Sequence, residues 1–102
     1  MKISQIFKRA HSKIKSGEEV YICAAISCDS AAPRHDGNRA LDVIYERING
    51  TKRPHGLVGK SVICWLLDNT SATHDDMTRD QMRLYRMRWL NALIKEFEAK
   101  GD

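Results

Sequence analysis

The sequence predicts an all-α or mainly α fold: one compact domain over residues 1–102, four to five helices, with a long amphipathic helix at the C-terminal end. Three observations carry this. Residues 78–100, TRDQMRLYRMRWLNALIKEFEAK, hold apolar side chains at spacings of three and four throughout. Ile3, Ile6, Phe7, Ala10 and Ile14 repeat that spacing at the N-terminal end. The 102 residues suffice for one modest core and are too few for two.

Taken in order, the first helix carries Lys8, Arg9, Lys13 and Lys15 on its wet side and ends at Ser16-Gly17. Glu18-Glu19 leads into VYICAAI, residues 20–26, which is apolar on all sides and therefore expected to be buried. Its length and β-branched residues leave helix and strand both open, and Ala24-Ala25 favours helix. Residues 28–37 read as loop, with Pro33 and Asp36-Gly37 as breakers. Asn38 then caps a third helix, RALDVIYERI, with Ala40, Leu41, Ile44, Tyr45 and Ile48 facing inward and Asn49-Gly50 closing it. Residues 51–60 form a basic loop containing Pro54, Gly56 and Gly59. Ser61 caps a short buried helix, VICWLLD, and residues 69–74 are a polar connector.

In the last helix, Thr78 and Gln81 fit a capping box. Asp75, Asp76 and Asp80 complement the helix dipole at its start, and Gly101 is a stop. Met82, Tyr85, Trp89, Leu93 and Phe97 form the expected buried stripe. Arg79, Arg83 and Arg86 share a second row, which continues into Leu90 and Phe97 and so runs toward the core. Arg88 points elsewhere. Two readings of the row stand side by side. In one, the nearby aspartates pair with the arginines and the long stems cover apolar surface. In the other, the guanidinium groups line a groove for phosphate or carboxylate, which they bind bidentately.

The net charge of +4 is uneven. Residues 1–60 hold eleven Lys and Arg against six acids, whereas residues 61–102 hold six against seven. Such an excess favours acidic partners weakly and falls short of a polybasic tract. Cys23, Cys28 and Cys64 come without a secretory leader, so reduced thiols and a cytoplasmic location are expected. The longest apolar runs, residues 20–26 and 62–67, are too short to span a bilayer.

Other constellations are weaker. GLVGKS, residues 56–61, departs from the phosphate-loop pattern, because Pro54 stands where its first glycine belongs. Cys23 and Cys28 lack metal-ligand spacing and the four histidines are scattered, so neither metal nor cofactor is expected. No nucleophile elbow, zinc-protease motif or paired carboxylates appear. Asp68, His74, Asp75 and Asp76 read as a capping segment, and no enzyme activity is expected. Trp65 and Trp89 read as core aromatics joining the last two helices.

The order YICAAI, VICWLL and RMRWLNALIKEF resembles a pattern found in short accessory proteins of tailed bacteriophages. The matching residues are Tyr21, Ile22, Cys23 and Ala25; Trp65 and Leu66; and Arg86, Trp89, Leu90, Leu93 and Ile94. They span most of the chain and are mainly core positions, a signature of fold more than of activity. The resemblance implies a protein made during infection, in the host cytoplasm, that binds and disables host machinery or defence.

The resulting expectation is a non-enzymatic accessory protein that binds a host defence protein or an anionic nucleotide ligand. Arg79, Arg83 and Arg86 are the leading contact residues, and Lys52, Arg53 and Lys60 in the central loop are the second set. A homo-oligomer fits a small chain with an arginine-edged helix, since a pocket can form between subunits. The alternative is a basic helical regulator that binds nucleic acid. The modest charge and the acids beside the arginines weigh against it, as does the lack of a polar recognition helix after a tight turn.

Overall fold

The computed structural model of the protein describes residues 1–52 and 78–102. Among these residues there are four helices and no strand: α1 (Ile3–Ser16), α2 (Ile22–Ser27), α3 (Arg34–Asn49) and α4 (Arg79–Ala99). The mainly α class read from the sequence is the class observed, and residues 22–27 resolve to helix. None of the described helices is long and apolar enough to cross a membrane. The expected VICWLLD helix, with Trp65 and Cys64, lies outside the described residues.

α1 is the hub, packing against all three other helices and most extensively along α4. Its expected stripe explains this, because Ile3, Ile6, Phe7, Ala10 and Ile14 are all buried. Phe7 meets Phe97 of α4 edge to face, with ring centroids 5.9 Å apart, an arrangement that aligns ring edge with π-face. Ile22, Cys23, Ala25 and Ile26 of α2 and Ala40, Leu41 and Ile44 of α3 join this core. The far end of the chain closes over the start of α1: Asp102 accepts hydrogen bonds from the Ile3 and Ser4 amides and from Arg39. Two otherwise orphaned N–H groups of a helix start are satisfied this way. Farther along α1, the buried Asp29 carboxylate takes a bidentate pair from Arg9, at 2.6 and 3.0 Å, and the Ala31 amide at 3.0 Å. It ties α1 to the turn after α2.

Several local expectations change. Val20 and Tyr21 are exposed rather than buried. The helix starts only at Ile22, with Tyr21 extended before it (φ −104, ψ 140), so the two residues belong to the connector that leaves α1. α3 begins four residues before the Asn38 cap, at Arg34. Pro33 sets the chain direction, Gly37 N–H closes the first turn on Pro33 O at 3.0 Å, and Asp36 sits in that turn, where the dipole favours it. Asp36-Gly37 is thus inside the helix and does not break it. In α4 the buried spine is Met82, Arg86, Leu90, Leu93 and Phe97, while Tyr85 and Trp89 lie half-buried at its margin. The apolar residues alone allowed either phase; contact with α1 selects the one containing Leu90. Finally, Cys23 is disulfide-bonded, which corrects the expectation of reduced thiols there, and Cys28 carries an exposed thiol. Disulfide formation depends on which sulfurs the fold brings together, and spacing along the chain does not encode that.

Candidate anion-binding site

The phase of the arginine row is set where α4 starts. Thr78 Oγ1 accepts from Gln81 N at 3.2 Å, and Gln81 Oε1 accepts from Thr78 N at 2.8 Å, a reciprocal cap. From that start Arg79, Arg83 and Arg86 follow at one-turn intervals along one face. The opposing wall is set where α1 ends. Gly17 adopts φ +81, a left-handed conformation that reverses the chain, and Glu19 N–H returns to Lys13 O at 3.2 Å. This folds Glu19, Val20 and Tyr21 back toward α4.

Between the two walls lies a cavity of about 550 Å³. Arg79, Arg83 and Arg86 all line it, together with Glu19 and Tyr21. Ile14, Val20 and Met82 supply apolar surface. The three arginines differ in setting. Arg86 is buried, 6% exposed, and its guanidinium lies 5.0 Å from the Tyr21 ring centroid, a cation–π contact. Arg83 is exposed, with Asp80 loosely beside it at 3.8 Å. Arg79 is exposed and, among the described residues, pairs with no carboxylate. The same holds for Glu19 with respect to cations. Arg79 and Glu19 thus line one cavity, and neither is paired with a described residue.

Among the described residues, the carboxyls with displaced acidities are not among those lining this cavity. The hydrogen-bonded Arg9 guanidinium holds Asp29 down at about 2, against burial that pushes the other way. The N-terminal ammonium lowers Asp36, and Arg47, bound bidentately at 3.0 and 2.6 Å, lowers Glu96. These are staples between elements, not groups poised over a void.

Of the second basic set, Lys52 is exposed at the end of the described segment, and Arg53 and Lys60 lie outside the described residues. So do GLVGKS and the residues 68–76 that include Asp75 and Asp76. Among the described residues no three His, Cys, Asp or Glu side chains converge as a metal cluster. Sequence reasoning missed Glu19 and Tyr21. Tyr21 was absorbed into an apolar run, and only the turn signal at Ser16-Gly17 hinted that the residues after it would face outward.

No protein-family model, no curated protein and no solved structure matches this chain.

Proposed function

We propose that the protein is a non-enzymatic accessory protein of phage type, acting in a host cell by capturing an anionic ligand, either a nucleotide or an acidic surface of a host protein, through Arg79, Arg83 and Arg86. One observation supports this reading above the others: the three arginines converge on a single cavity of about 550 Å³ with an aromatic ring and apolar walls. That volume falls in the range of small-molecule sites. Planar guanidinium forks recognise phosphate and carboxylate oxygens in pairs.

The test is binding of pyrophosphate and of an oligoglutamate peptide by calorimetry, together with native mass spectrometry of the protein purified from its expressing cells. Arg83→Ala should remove most anion binding while lowering stability by less than about 0.5 kcal/mol, because the side chain is exposed and its pair with Asp80 is long. If the variant binds as the parent does, the row is not the site. If it unfolds, the arginines are structural and the reading fails.

A further inference from the structure

The lining of the arginine cavity narrows the ligand class, an inference that rests on the anion-binding reading above. A patch that merely met an acidic protein surface would need cations alone. Here the wall opposite α4 carries Glu19, and neither it nor Arg79 is paired with any described residue, although both line the same void. A carboxylate facing the cavity repels a second anion and seeks N–H donors. A ligand that satisfies both walls is therefore anionic at one end and rich in donors at the other. Tyr21 lies beside Glu19 with 41% of its surface exposed and Arg86 already over its ring. Its uncovered surface suits a planar ring, since stacking on an aromatic side chain is tolerant of ring identity. The volume admits a ligand larger than a simple oxyanion.

We infer that the cavity between α4 and the connector following α1 binds a guanine nucleotide, with its phosphates on Arg79 and Arg83, its base against Tyr21, and its donor edge on Glu19. Among nucleobases, guanine presents two adjacent N–H donors, matched to the two oxygens of one carboxylate. Adenine offers a single donor group there, next to an acceptor nitrogen that a carboxylate repels. A site built to hydrogen-bond one set of donors rejects the analogue that lacks them.

The experiment is calorimetric titration of the full chain with GDP, ADP, pyrophosphate and oligoglutamate, repeated on Glu19→Gln and Tyr21→Ala, with circular dichroism confirming that each variant is folded. The expected result is that GDP binds at least about tenfold more tightly than ADP, a difference of about 1.4 kcal/mol. Glu19→Gln should remove that preference while ADP and pyrophosphate still bind. Tyr21→Ala should weaken both nucleotides by a larger factor than pyrophosphate, and an equal loss for all three overturns the stacking assignment. Equal affinity for GDP and ADP, or a preference that survives Glu19→Gln, overturns the base assignment and leaves anion capture standing. Binding of oligoglutamate alone overturns the nucleotide class and again leaves anion capture standing. Failure of all four probes overturns both.

Discussion

Asp29 shows how a single residue fastens this fold. Its side chain is 3% exposed, yet it is held ionised by Arg9, the Ala31 amide and, at 3.7 Å, Lys13. A carboxyl held near 2 instead of 3.8 favours the folded state by about 2 kcal/mol at neutral pH. The sign follows from the direction: a depressed folded acidity stabilises above the unfolded value and loses that stabilisation as pH falls toward the folded one. Chemical denaturation should therefore show stability falling by about 2 kcal/mol between about pH 5 and pH 2, with Asp29→Asn flattening that limb. At neutral pH the same substitution should cost about 2–4 kcal/mol, because it removes the charge that Arg9 and Lys13 pair with and turns one accepting oxygen into an N–H donor facing them. A variant as stable as the parent across the range would remove Asp29 from this role. None of this was legible in the sequence, where Asp29 was one polar residue in an apparent loop. Long-range pairs such as Arg9–Asp29 leave no periodic trace. Arg86 was more legible, because the row it belongs to continues into Leu90, and it is indeed buried.

At the scale of elements, the signals that succeeded were local and stereochemical. Gly17 after Ser16, Gly50 after Asn49 and Gly101 after the last helix all adopt positive φ, and each marks a helix end read from the sequence. Reciprocal capping by Thr78 and Gln81 was equally local. What failed was local signal in competition with tertiary contact. Pro33 outcompetes Asn38 as the start of α3, since a carboxylate in the first turn and the N-terminal ammonium on Asp36 stabilise the earlier start. Gly17 offers a clean test of the successful kind. No atom lies within 4 Å of where a Cβ would stand, so Gly17→Ala meets only backbone strain. It should lower stability by about 1 kcal/mol. Because the same turn brings Glu19 and Tyr21 round to the cavity, it should also weaken anion binding, measured by the same titrations. Unchanged stability and binding would show that the turn tolerates other geometries.

At the scale of the molecule, the described residues organise as one helix with three partner helices. α1 contributes five buried apolar residues in a single stripe, and each neighbour covers a part of it. This much the sequence supplied, since a strong stripe at the start and a long helix at the end must bury their faces on something, and in a chain this small that means each other. The sequence could not supply the cavity, because it forms where the end of one helix passes the start of another, and no pattern within either encodes the gap. Phe7 tests whether the arrangement is a cooperative unit. It is fully buried and touches Phe97 near the end of α4. Phe7→Ala removes a large ring from the centre of the hub and should cost about 3–5 kcal/mol, a large share of the roughly 5–15 kcal/mol typical of a domain. Urea unfolding in a Trp65→Phe background, followed by helical circular dichroism and by the fluorescence of Trp89, should shift to lower denaturant in one coincident transition. Trp89 sits on α4, so separate transitions for the two probes would mean that α4 leaves the hub independently, and that the arginine cavity opens without global unfolding.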